Sequence, residues 1–142
     1  MKNQEIVFEI KSDIEELSRV SKKVEKIACQ MGFSEDECDN ISIGVTEVVN
    51  NAIIHGNKNN KDKKVVIAFK LMKNELTIFV TDEGIGFDPE KIDNPLEPEN
   101  LLKEHGRGIF ILKAVMDKVD FKFSAKGTTV IMHKKKKNRV SE

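Results

Sequence analysis

Residues 44–56 read GVTEVVNNAIIHG, and the fold turns on how this stretch is read. In a helix, residues four apart share a face. Glu47, Asn51 and His55 then form one polar stripe, with Gly44 at its end. Cys38, Ile41, Val45, Val48 and Ala52 recur at three- and four-residue steps as an adjoining apolar stripe. A carboxylate, an amide and an imidazole therefore line the edge of a core-facing surface, and Asn50 is expected to face away from them. A polar helix flank touching water would produce the same triplet, so the stretch acquires meaning only from the rest of the chain.

Working outward, 142 residues suffice for one domain with a real core, taken here as 1–142. Lys+Arg is 24 and Asp+Glu is 24, so the formal net charge is zero, which argues against an electrostatic commitment to nucleic acid or to an anionic membrane. No apolar run has the length of a membrane span, and the opening MKNQEIVFEI lacks the layout of a signal peptide, so a cytoplasmic domain is expected. Cys29 and Cys38 have neither metal-ligand nor redox spacing and are expected to be small core hydrophobes.

Upstream, residues 4–10 alternate as a half-buried strand. Ser12-Asp13-Ile14-Glu15 offers a capping box, and behind it Ile14, Leu17, Val20, Val24, Ile27 and Met31 keep a helical period until Gly32. Ser34-Glu35-Asp36-Glu37 is a second capping box. It opens the helix that Gly56 closes. Downstream, the polar segment 57–63 is a loop, and strands at 64–72 and 75–82 are joined at Lys73-Asn74 as a hairpin. Residues 88–105 hold all three prolines with no sustained period, the mark of a working loop or lid. A helix from Gly106 to about Met116, strands through 119–123 and 128–133, and a basic tail from about 134 complete the chain. The economical packing is a two-layer α/β sandwich: a mixed, mostly antiparallel sheet of about five strands, covered on one face by about three helices.

Three glycine stretches frame the lid. Asp82-Glu83-Gly84-Ile85-Gly86 ends a strand, Gly106-Arg107-Gly108 opens a helix, and Gly127-Thr128-Thr129 begins the last strand. Glycines at a strand end let backbone approach a ligand closely. A helix N-terminus attracts anions, so Gly106-Arg107-Gly108 suits phosphate, with Arg107 as an added cation. A turn would account for any one of these alone. The chain has neither a P-loop nor a dinucleotide fingerprint.

Taken in order, Glu-x-x-x-Asn-x-x-x-His, Asp-x-Gly-x-Gly, a proline-containing segment, Gly-x-Gly and Gly-Thr-Thr resemble the GHKL ATP-binding domains. The wording of TEVVNNAIIHGN, VTDEGIGFDP and GRGIFILKAVMD is similar to that of the small anti-sigma factor serine kinases. The resemblance implies ATP and Mg²⁺ as cofactors, with Asp82 accepting from the adenine amino group and Thr129 backing that contact. It further implies that Gly84, Gly86, Gly106 and Gly108 line the nucleotide, that Asn51 ligates Mg²⁺, and that His55 lies near the phosphates. Glu47 is implied as the base for the substrate hydroxyl, and Arg19 as the residue that holds protein partners. Those partners would be a sigma factor and an anti-anti-sigma antagonist whose serine is phosphorylated; relatives form dimers, which composition does not show for this chain. Two alternatives stay open at this point, a nucleotide-gated binding module with little transfer activity and a detached sensor histidine-kinase catalytic domain. A histidine kinase would need an acceptor histidine on a preceding helical hairpin, and neither His55, His105 nor His133 lies on one.

Overall fold

The computed structural model describes residues 3–84 and 112–136. Strand β1 (Gln4–Lys11) leads through a 3₁₀ turn (Ile14–Glu16) into α1 (Leu17–Met31), and α2 (Glu35–Asn51) runs on into a single π turn (Ala52–Gly56). Strands β2 (Lys64–Met72), β3 (Glu75–Thr81), β4 (Lys118–Ser124) and β5 (Gly127–Lys135) follow. They form one sheet in the order β1-β2-β3-β5-β4. Every pairing among the described residues is antiparallel, where a mixed, mostly antiparallel sheet was expected. Of the third helix expected over 106–116, residues 112–115 are described, and they are helical.

Alternation builds the core. In β2 the odd positions Val65, Ile67, Phe69 and Leu71 are buried while their neighbours are not. Register carries the same face across the sheet, pairing Phe69 with Ile78 and Ile78 with Met132. Against this face lie Val20, Val24, Ile27 and Met31 of α1, and Ile41, Val45, Val48 and Val49 of α2. Each fully buried side chain of this size contributes about 1.5–3 kcal/mol relative to exposure, so the helix–sheet interface is the main source of stability.

Local details depart from expectation in instructive ways. Ser12 does not cap α1: it is buried, and its hydroxyl donates to Lys63 O at 2.7 Å. Asp13 caps the 3₁₀ turn, accepting from Glu15 N at 3.0 Å, and α1 itself begins after Glu16 with no side-chain cap. The 3₁₀ turn offsets the helical register, so Ile14, expected on the apolar stripe, is 55% exposed. Cys29 is exposed where a core position was expected, although its thiol reaches Cys38 Sγ at 3.0 Å. Burial, together with that thiol contact, pushes the Cys38 thiol up to about 12. The last strand extends into the basic run. Leu76 and Glu75 pair with Lys134 and Lys135, so those lysines are ladder residues and not a solvated tail.

The second capping box forms as read. Ser34 Oγ accepts from Glu37 N at 3.1 Å, and Glu37 Oε1 accepts from Ser34 N at 3.0 Å. Ser34→Ala is expected to cost about 1 kcal/mol in chemical denaturation, and Ser34→Gly only a few tenths. Unchanged midpoints for both would remove the box from the account of α2.

Candidate functional site

The site grows from the end of α2. Glu47 and Asn51 lie half-buried on its flank. At Ala52 the helix widens into the π turn, closed by Asn57 N on Ala52 O at 2.8 Å. Single π turns inside helices are rare and cluster at functional sites. His55 lies within this turn and is exposed, whereas Glu47 and Asn51 are half-buried. The same turn delivers Gly56 to the end of β3.

There Gly56 meets Asp82. A Cβ on Gly56 would overlap Asp82 Oδ2, a Cβ on Gly84 would overlap the Gly56 carbonyl oxygen, and a Cβ on Gly127 would overlap the Asp82 carbonyl oxygen. Gly127 also sits at φ +148°, where side chains are strained. Three backbones without side chains thus form the seat of one carboxylate. Asp82 is 8% exposed, and its Oδ1 accepts from Gly84 N at 3.0 Å and from Thr128 N at 3.1 Å. Burial pushes its carboxyl above the ordinary carboxylate range, against the opposing pull of the two backbone N–H groups and the charge of Lys63. An acceptor-only group on a floor of bare backbone is suited to receive an N–H from the edge of a flat ring.

The other expected residues divide into those near this seat and those elsewhere. Thr129 Oγ1 is 3.0 Å from Thr81 Oγ1, its partner in the β3–β5 register. By strand alternation both lie on the sheet face away from the helices, so Thr128, not Thr129, shares the Asp82 side. Glu47 lines a cleft of about 620 Å³ between α1 and α2 with Leu17, Ser21, Ile43 and Thr46. Asn50 lines it too, because three-residue neighbours also share a helix face. Asn51 has a buried amide nitrogen with no partner among the described residues. Arg19 is held at the start of α1, with Nη2 donating to Glu9 O at 2.9 Å and Nη1 3.4 Å from Glu16 Oε2; its side chain remains 59% exposed. Gly86, Gly106, Arg107 and Gly108, and the segment 88–105 read as a lid, lie outside the described residues.

Reading the sequence missed four contributors. Gly56 was taken only as a helix stop, Thr128 was passed over for its neighbour, and Asn57 and Ser12 were assigned to a loop and a cap. Asn57 and Ser12 are each 1% exposed and joined by a 2.7 Å hydrogen bond. Period-two alternation in the final strand was the available signal for Thr128. A contact across 45 positions leaves no local signal.

No group of three or more His, Cys, Asp or Glu residues that could hold a metal occurs among the described residues, and no described helix is long and apolar enough to cross a membrane. Comparison with known proteins gives concordant results. Residues 10–134 match the family described as histidine kinase-like ATPase domain. The chain is 37% identical over 136 residues to the anti-sigma F factor of Clostridium acetobutylicum, covering 92% of each chain. It is 33% identical over 99 residues to the serine-protein kinase RsbW of Oceanobacillus iheyensis, covering 66% of this chain and 63% of that one. Among solved structures, one holding the RsbU and RsbW domains of a Mycobacterium tuberculosis protein superposes with a TM-score of 0.67 at 16% identity, covering 92% of this chain and 32% of that one. The catalytic domain of histidine kinase ThkA superposes with a TM-score of 0.52 at 19% identity, covering 96% and 97%. At these identities the two structures speak for the fold alone. By the extent of the family match and the clostridial relative, the chain belongs to the histidine kinase-like ATPase domain family.

Proposed function

We propose that this chain is an ATP- and Mg²⁺-dependent protein serine kinase that acts in the cytoplasm as an anti-sigma factor. It would phosphorylate a serine of an anti-anti-sigma antagonist and sequester a sigma factor. The observation that carries the reading is Asp82, seated on the backbones of Gly56, Gly84 and Gly127 at the junction of α2, β3 and β5. The relatives named as serine-protein kinase and anti-sigma F factor support the activity and the partner class.

On this reading Asp82 accepts from the exocyclic amino group of adenine, and the glycine backbones leave room for the ring. Gly86, Gly106, Arg107, Gly108 and the segment 88–105 are assigned to the nucleotide by motif, and His55 to the neighbourhood of the phosphates. Asn51 is the metal ligand. Its unpartnered buried amide end fits that role, because a half-turn about the terminal torsion presents the carbonyl oxygen at the same place. One amide oxygen suffices for a hard cation that keeps phosphate oxygens and waters as its other ligands. Mg²⁺ bound there would neutralise charge on the phosphate oxygens during transfer. Glu47 takes the proton of the substrate serine hydroxyl from within the α1/α2 cleft. The serine oxygen then bonds to the γ-phosphorus as the bond to the β,γ-bridging oxygen breaks, and ADP leaves. Arg19 meets the protein partner, since its planar fork suits a carboxylate at an interface.

Glu47→Gln keeps the shape and removes the base. Transfer of labelled phosphate from ATP to an antagonist protein is expected to fall roughly 10²–10⁴-fold while ATP still binds. Transfer at the parental rate would end the assignment. A phosphate on the antagonist that survives acid supports serine over histidine as the acceptor.

Arg19→Ala is expected to weaken capture of the partner roughly tenfold or more with little change in thermal stability, because an exposed ion pair contributes little to the fold. Equal partner titrations for parent and variant would overturn it.

Asp82→Asn separates function from stability. A carboxyl raised by burial adds stability below the ordinary carboxylate range, and that contribution is lost as pH rises through the raised value. Without nucleotide, the variant is therefore expected to match or exceed the parent's melting temperature at neutral pH. The gap should close as the solution is made acid, while ATP affinity falls about a hundredfold. A variant that melts lower at neutral pH and converges at no pH would contradict the burial account.

A further inference from the structure

Beside the Asp82 seat lies a second buried polar group, the amide of Asn57, which is 1% exposed and uses both of its ends. Nδ2 donates to Ser12 Oγ at 2.7 Å and to Lys64 O at 3.0 Å, and Oδ1 accepts from Glu83 N at 2.8 Å. Ser12 extends the connection by donating to Lys63 O at 2.7 Å. One side chain thus gathers the residue after β1, the first residue of β2 and the residue after Asp82. A turn asparagine bonds to backbone a residue or two away and has no need of such partners.

Two of these attachments bear on Asp82. The N–H of Glu83 belongs to the peptide plane that follows Asp82, so its bond to Asn57 fixes the direction in which the strand end leaves the sheet. The backbone N–H of Asn57 closes the π turn on Ala52 O at 2.8 Å and so fixes Gly56, which faces Asp82 Oδ2. Asn57 holds both sides of the seat without touching the carboxylate.

We infer that Asn57 is a positioning residue for base recognition, clamping the Asp82–Glu83 peptide and Gly56 in register so that the Asp82 carboxylate meets the exocyclic amino group of a purine nucleotide. The inference rests on the reading of Asp82 as the adenine acceptor, and Asn57 acts through it.

The test measures affinity for ATP and for purine riboside triphosphate, which has hydrogen in place of the amino group. Asn57→Ala is expected to lower ATP affinity about tenfold and purine riboside triphosphate affinity less than about twofold, the signature of one misaimed polar contact. In an Asp82→Asn background the same substitution should leave the ratio of the two affinities unchanged, because the group it aims is gone. Equal loss for both nucleotides, or none, makes Asn57 structural and overturns the inference. Should Asn57→Ala fail to fold, Ser12→Ala carries the test. It removes one acceptor of the amide, and the ratio should fall about two- to threefold; an unchanged ratio overturns the inference. If Asp82→Asn alone leaves the ratio unchanged, the adenine reading fails and takes the inference with it. If Asp82→Asn moves the ratio and the Asn57 and Ser12 variants do not, only the inference fails.

Discussion

A carboxylate taken out of water and held by backbone N–H groups is the constraint around which this molecule is arranged. Asp82 needs hydrogen-bond donors that are fixed and surroundings that are small, and side chains would supply neither. The fold meets both needs with backbone: two N–H groups on Oδ1 and three glycine Cα positions around the residue. Each glycine belongs to a different segment, one ending the long second helix, one just past β3, and one opening β5. The insertion of β5 between β3 and β4 brings Gly127 and Thr128 there, and the packing of α2 across the sheet brings Gly56. A different strand order would leave the carboxylate either solvated or unsatisfied.

Around this seat the polar groups are arranged in depth. Asp82 is satisfied by backbone, the backbone beyond it is held by Asn57, and Asn57 is in turn held by Ser12 and the start of β2. Buried polar networks specify one arrangement only when every member is satisfied, because a half-satisfied one costs more than an apolar replacement. That condition is met at Asn57 and Ser12. Among the described residues it is not met at Thr46 and Asn51, whose buried atoms have no partner there and which stand on either side of Glu47 on α2. The satisfied network lies behind the seat and the unsatisfied atoms lie along the helix toward the cleft. On the proposed reading, rigid framework stands at one end of the site and the ligand-facing groups at the other.

What could be read from the chain follows the range of the interaction involved. Period-two alternation located all five strands within a residue or two. The Ser34–Glu37 box also formed as read, because each depends on neighbours a few positions apart. The antiparallel completeness of the sheet was not legible, since strand direction across the 85–111 connection is a matter of topology. Ser12 shows the same limit from the other side: its local spacing fits a cap, yet burial against Lys63 and Asn57 gave it another use. Within the candidate site, Asp82 and Gly84 were legible because a motif places them together. The π turn that carries His55 was not, because it replaces the regular helix expected to run on to Gly56. Thr128 and Thr129 illustrate how one position decides a whole face, as alternation sends them to opposite sides of the sheet.

The second helix joins these two regimes. It carries Glu47 in the cleft against α1, and nine positions later its continuation sets Gly56 on Asp82. At the α-helical rise of 1.5 Å per residue that separation is at most about 14 Å, the wider π turn shortening it, which is comparable to the reach of an extended nucleoside triphosphate from its base to its last phosphorus. On the proposed reading the helix is a ruler, with the base read at one end and the proton taken at the other. The π turn lies between Asn51 and the seat, so it adjusts the ruler at the base end and leaves the spacing of Glu47 and Asn51 to regular helix. Packing anchors the ruler in place: Val45, Val48, Val49 and Ile53 on its inner side are all buried against the sheet that carries Asp82. A core of this kind transmits position because close-packed side chains leave little slack. The distance between Asp82 and Glu47 is therefore set by the same contacts that fold the domain.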